Sequence, residues 1–133
     1  MANALYPKWK EQLLQFTTNN NLSSGTVKVA LVTAGYTYSS AHQFYSSVSA
    51  SVVGTPQTIG SKTFTNGVFD GADVIFTAVT GSQVVTLVIY IDTGSAATSP
   101  LVAFIDTGVT NLPVTPNGGD IAITWNASGI FAL

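Results

Sequence analysis

The chain has 133 residues and a mass of 13.8 kDa, and only 8% of it is charged: four lysines, six acidic residues and no arginine, with one histidine and no cysteine. Lys8, Lys10, Lys28 and Lys62 are too few to neutralise a phosphate backbone, which argues against direct DNA or RNA binding. Without cysteine there is no disulfide, thiolate nucleophile or sulfur-ligated metal.

One domain is expected at this length, residues 1–133, with 1–24 forming an arm, a helix and a linker and 25–133 forming a sandwich. Its surface must be built from Ser, Thr, Asn, Gly and Gln rather than ions. Such a surface is cheaply desolvated by a partner, and charge depletion marks interface cores. The composition therefore points to an oligomer or a lattice component.

The opening Met1-Ala-Asn-Ala-Leu-Tyr-Pro-Lys-Trp-Lys10 does not read as a secretory signal, because its charges follow the first apolar residues. The longest apolar run, around Val84–Ile91, is far short of the ~20 residues of a membrane span. A chain made and folded in the cytosol, with no membrane anchor, is the expectation. The sequons Asn21-Leu-Ser23 and Asn126-Ala-Ser128 are then glycosylation sites in form only.

Tyr6–Phe16 predicts the one helix, with Pro7 in the first turn, where its missing N–H costs nothing. Trp9, Leu13, Leu14 and Phe16 supply its apolar face. A polar linker, Thr17–Gly25, ends it. From Thr26 the period becomes two, and Thr26–Thr33 predicts a half-buried strand with Val27, Val29 and Leu31 inward. Ala41–Val48 reads as a short helical turn capped by Ser39 or Ser40.

Further strands are expected near Gln57–Phe64, Val68–Phe69, Asp73–Val79, Gln83–Ile91, Pro100–Ile105, Asp120–Trp125 and Ile130–Leu133. Turn signals separate them: Asn66-Gly67, Asp70-Gly71, Thr80-Gly81, Thr93-Gly94, Pro116–Gly119 and Ser128-Gly129. Gln83–Ile91 is apolar on both faces, so it predicts a central strand, with a facing sheet on one side and the helix or a neighbouring subunit on the other. The fold class is all-β: an antiparallel β-sandwich, jelly-roll-like, with one short N-terminal helix.

From Thr63 to Leu133 there is no lysine, arginine or histidine, but there are five aspartates. Asp70, Asp73, Asp92 and Asp106 could supply oxygen ligands to Ca²⁺, although aspartate also opens turns by accepting from nearby backbone N–H groups. Asp92-Thr-Gly94 and Asp106-Thr-Gly108 carry the tripeptide of an aspartic-protease loop, without its apolar partner segments. His42, the sole histidine, has no Gly-x-Ser-x-Gly elbow to serve. No catalytic residues and no cofactor are expected. Tyr6, Trp9, Tyr36, Tyr38 and Tyr45 are read as contributors to contacts between subunits, where an apolar ring with a polar tip is useful; with Phe44 they could instead form an aromatic platform for glycans, and the plainer reading places Trp9 and Phe44 in the core.

Ala4-Leu-Tyr-Pro-Lys-Trp-Lys10, Thr26-Val-Lys-Val-Ala-Leu-Val32, Tyr36-Thr-Tyr38 and Gly67-Val-Phe-Asp-Gly-Ala-Asp-Val74 resemble small virion structural proteins of tailed bacteriophages. So do Leu87–Gly94, Leu112–Asp120 and Ile130-Phe-Ala-Leu133, in the same order along nearly the whole chain. The resemblance implies a particle protein on the virion. Within that class, a capsid decoration (cement) protein is the expected role, with the major capsid protein and further copies of itself as partners. It implies no catalytic residues. A neck, tail or fibre-associated protein is the first alternative, and a small lectin-like glycan-binding module is the alternative of another class. Exposed strand edges that extend a partner's sheet, and an N-terminal arm (Met1–Pro7) docked on a neighbour, are the contacts expected of such a protein.

Overall fold

The computed structural model describes residues 3–15, 20–109 and 111–133. Among these residues nine strands and one α-helix follow in the order β1 (Ala4–Leu5), α1 (Pro7–Leu14), β2 (Thr26–Thr33), β3 (Val52–Thr58), β4 (Val68–Phe69), β5 (Val74–Phe76), β6 (Val84–Asp92), β7 (Leu101–Ile105), β8 (Ile121–Ile123) and β9 (Phe131–Ala132). Among the described residues the strands form one five-stranded antiparallel sheet, ordered β1-β7-β6-β2-β3, and two short ladders, β4-β9 and β5-β8. Residues from all three sheets join a single apolar core. The expected all-β, sandwich-like class with one helix is the observed one, with the second layer divided between two ladders.

The strand β2 has the predicted bounds, and the central place of β6 follows from its sequence. Antiparallel partners point to the same face, so the register divides the sheet cleanly. Lys28, Ala30 and Val32 of β2 share one face with Tyr90, Val88 and Thr86 of β6, and Val88 brings in Phe104 of β7. Val27, Val29 and Leu31 share the other face with Ile91, Ile89 and Leu87. All of β6 between Thr86 and Ile91 is buried, so both faces are covered within one chain. The core is completed by Ile59, Phe69, Phe76, Ile123 and Trp125.

Helix α1 is shorter and narrower in its apolar face than Tyr6–Phe16 predicts. Pro7 occupies its first turn as expected, and Trp9 is its buried residue. Leu13, one turn on, packs at the edge of the core, whereas Leu14 is 89% exposed. The cause is angular: five residues along a helix place Leu14 about 140° from Trp9, beyond a stripe roughly 100° wide. Phe16 lies outside the described residues, as do Thr17–Asn19 of the linker.

Two further differences have local causes. The predicted Gln57–Phe64 strand starts earlier, at Val52, and stops at Thr58. The ladder passes Gly54-Thr55-Pro56 as a bulge: Val29 pairs with Gln57, and Leu31 pairs with Val53. The Ala41–Val48 turn is not a helix from Ala41. Instead Ser39 Oγ accepts from the Ala41 N–H at 3.2 Å, and 3₁₀ turns follow at Tyr45–Ser47 and Ser49–Ser51.

The Ser128-Gly129 turn illustrates a glycine that the packing requires. Gly129 has φ +109°, and a Cβ there would collide with Val68.

Candidate interaction surface

The five aromatic residues singled out from sequence divide into two groups. Tyr6 is 0% exposed and Trp9 2%, so both are internal and neither offers a face to another subunit. Their positions are set by the N-terminal segment. Ala4 and Leu5 pair with Phe104 and Ala103 of β7, and the Tyr6 N–H continues the ladder to Val102 O at 3.0 Å. Asn3 Oδ1 accepts from the Asp106 and Thr107 N–H groups at 2.7 and 3.0 Å. From Asn3 onward the expected neighbour-docking arm is therefore bound to its own sheet; Met1 and Ala2 lie outside the described residues.

Tyr36, Tyr38 and Tyr45 are half-buried and lie on the second face of the five-stranded sheet. Tyr45 stacks on Tyr90 with ring centroids 4.0 Å apart, and Tyr36 and Tyr38 pack on Phe104 at 6.3 and 5.4 Å. This loop is the second cover of β6, in the place where the sequence suggested the helix or another subunit. The hydroxyls are organised as well as the rings. Tyr6 and Tyr36 hydroxyls lie 2.8 Å apart, and Tyr36 is also 2.8 Å from His42 Nδ1. Burial pushes the Tyr6, Tyr36, Tyr45 and Tyr90 hydroxyls above the usual phenol range. His42 lies in the loop ahead of the Tyr45–Ser47 turn, and its ring serves this network.

The aspartates are spread through the turns. Asp70 Oδ1 accepts from the Gly71 N–H at 2.8 Å, Asp92 Oδ1 from Gly94 at 2.9 Å and Asp120 Oδ1 from Ala78 at 3.1 Å. Asp73 Oδ1 accepts from the Trp125 N–H at 3.0 Å, joining β5 to β8. The Lys28 ammonium, 2.7 Å away, and the Gly94 N–H hold the Asp92 carboxyl below its usual range.

The twin Asp-Thr-Gly turns lie at opposite ends of the β6–β7 hairpin. Ile105 faces Leu87, so Asp106 lies beside the start of β6 while Asp92 ends it, roughly 20 Å along the strand. Two carboxylates so placed cannot share a proton. Nor do Asp70, Asp73, Asp92 and Asp106 converge on one Ca²⁺: among the described residues there is no group of three or more His, Cys, Asp or Glu able to hold a metal.

A feature the sequence did not single out is an apolar groove of about 450 Å³. Trp9 and Leu13 of α1 form one side, Asn20–Ser23 another, and Phe64 and Leu133 the rim. Beneath it a run of rings ties helix to ladder: Phe64 stacks on Phe69 at 5.6 Å, Phe69 meets Phe131 at 5.2 Å, and Phe131 meets Trp9 edge-on at 5.9 Å. Phe64 and Leu133 are 41% and 70% exposed, which is unusual for apolar side chains of that size and makes the groove accessible. The available signal was an apolar residue at the end of each predicted strand, Gln57–Phe64 and Ile130–Leu133, but strand ends are not ordinarily read as sites.

The sheet edges suit side-chain contact better than strand addition. On β3 the Gly54–Pro56 bulge interrupts the ladder and proline has no N–H to offer, and β1 is only two residues long. Both are features that protect an edge from pairing. The expected extension of a partner's sheet thus has no long regular edge in the five-stranded sheet. No described helix is long and apolar enough to cross a membrane.

No protein-family model matches this chain, and no curated protein matches it.

Proposed function

We propose that this chain is a bacteriophage virion structural protein, a capsid decoration protein that binds between major capsid subunits and stabilises the head. The observation that carries the reading is an accessible apolar groove on a β domain with very few ions. A protein bound at many equivalent sites on a shell needs contacts that do not depend on salt. Apolar and hydroxyl surface supplies these, whereas ion pairs are screened above about 0.1 M salt. Binding to the assembled shell but not to its separated parts would stabilise the particle by mass action. The resemblance of the Ala4–Lys10, Thr26–Val32 and Gly67–Val74 segments to small virion proteins supports the same class.

Quantitative mass spectrometry of purified virions tests the reading directly. Copies comparable to the major capsid protein are expected. A few copies per particle would move the chain to the neck, tail or fibre, and none would overturn the proposal. Leu133→Ser probes the surface. Because Leu133 is mostly exposed, its loss should change stability by no more than about 0.5 kcal/mol. Occupancy on particles should fall, and by a similar factor at about 0.1 M and about 1 M salt. Unchanged occupancy would place the contact elsewhere on the domain.

A further inference from the structure

We propose that Asn66 is a modification site: the Gly67 nitrogen displaces its side-chain amide and leaves an aspartyl or isoaspartyl linkage in the turn before β4, while the fold protects the second Asn-Gly pair, Asn117-Gly118.

The two Asn-Gly pairs of the chain offer the same chemistry. The backbone nitrogen after an asparagine closes a five-membered ring on the side-chain Cγ, and a glycine at that place leaves the approach free of a Cβ. At position 66 the Gly67 N–H gives its proton to hydroxide, and the nitrogen forms a bond to Asn66 Cγ. The Cγ–Nδ2 bond then breaks. The departing nitrogen takes a proton from water, which restores the hydroxide, and leaves as ammonia. Water opens the resulting succinimide at either carbonyl, its hydroxyl joining the carbon and its remaining hydrogen returning to the ring nitrogen. Opening at Cγ gives aspartate at position 66, and opening at the main-chain carbonyl gives the isoaspartyl linkage. One water is consumed and one ammonia released, with no change of oxidation state.

Both pairs are exposed, so access to water does not distinguish them. The bonds on the attacking nitrogen do. Asn66 sits in the Thr65–Gly67 turn at φ 54° and ψ 33°, and the Gly67 N–H donates to Phe64 O at 3.3 Å, longer than an ordinary amide hydrogen bond. In the Pro116–Gly119 turn the Gly118 N–H donates to Val79 O at 2.7 Å, and the Val79 N–H donates to Gly119 O at 3.0 Å. The Asn117 side chain is held too, its Oδ1 accepting from the Gly119 N–H at 2.9 Å. To turn its nitrogen on the side chain, Gly118 must leave a two-bond clamp on buried Val79. Gly67 gives up one long bond inside its own turn. The cost of that local opening separates the two rates.

The isoaspartyl product has a structural consequence. It lengthens the main chain by one carbon between position 66 and Gly67, whose carbonyl accepts from the Leu133 N–H at 2.9 Å beside the Val68–Ala132 pair. Phe64 and Leu133, the rim of the apolar groove, are therefore both bonded to the residue that moves. The modification itself does not depend on what the groove binds.

Timed incubation of the folded full chain in mildly alkaline buffer tests the site, with peptic mapping in acid and mass spectrometry scoring amide loss at positions 66 and 117. Loss at 66 should run about tenfold or more ahead of loss at 117, the scale of one further hydrogen bond to break. Part of the product should accept a methyl group from an isoaspartyl methyltransferase. In guanidinium chloride, where neither pair is held, the two rates should converge. Equal rates in the folded chain would overturn the proposal, because the Val79 clamp would then protect nothing. The same ratio in folded and unfolded chain would overturn it as well, because neighbouring residues rather than the fold would then set the difference.

Discussion

Replacing Trp9 with alanine is expected to lower the unfolding free energy by about 3–5 kcal/mol, the usual range for removing a buried large aromatic side chain. Trp9 is 2% exposed and is the buried residue through which α1 is fixed. Its ring meets Phe131 of β9 edge-on, and its Nε1–H donates to Asn20 O at 3.3 Å in a buried setting. Alanine removes the ring, opens a cavity under the groove and withdraws the indole donor from that carbonyl. For a domain whose total stability is of order 5–15 kcal/mol, such a loss is a large share of the whole. Trp9→Phe separates the two contributions: it keeps most of the apolar body and loses the N–H, for an expected cost nearer 1 kcal/mol. Urea unfolding followed by fluorescence of the remaining Trp125 measures both. A loss below about 1 kcal/mol for alanine would mean that the helix contributes little to the fold, contrary to its burial.

Lys62→Met is expected to cost about 2 kcal/mol, the scale of hydrogen bonds made by a charged group. The Lys62 ammonium donates to three backbone carbonyls, Leu22 O at 2.6 Å, Gly25 O at 2.8 Å and Ser23 O at 3.2 Å. Its three donors satisfy carbonyls at the end of the linker and tie that linker to the segment between β3 and β4. Methionine has a similar length and no donor, so the carbonyls would lose all three bonds. Lys62→Arg should not restore them fully, because a planar fork cannot aim at three convergent oxygens as a compact ammonium does. The melting temperature of Lys62→Met should fall by roughly 8 °C, with faster exchange of the 22–25 amides. A melt within about 2 °C of wild type would place the ammonium in solvent rather than on the linker.

The proposed site was less legible than the fold. Tyr6 and Trp9 carry the composition of contact residues, but the β1–β7 pairing and the ring contact with Phe131 draw them inward. Tyr36, Tyr38 and Tyr45 do sit at an apolar boundary, yet that boundary is with Phe104 and Tyr90 of their own chain. The groove unites Leu13, Leu22, Phe64 and Leu133, which come from four separate segments and share no motif. The aspartates behaved differently: in Asp70-Gly71 and Asp92-Thr-Gly94 the carboxylate bonds an N–H one or two residues away, and adjacent residues state that preference outright.

Sequence by itself determined the all-β class, the bounds of β2, the central place of β6 and most of the turns. Each follows from alternation, β-branching or turn chemistry, and these act between residues close along the chain. Tertiary structure alone decided what covers the second face of β6, which aromatic rings are internal, and that the twin Asp-Thr-Gly turns lie at opposite ends of a hairpin. Those outcomes depend on strand order and register. One shared core must satisfy distant segments together, so a ring's surroundings are fixed by partners many residues away.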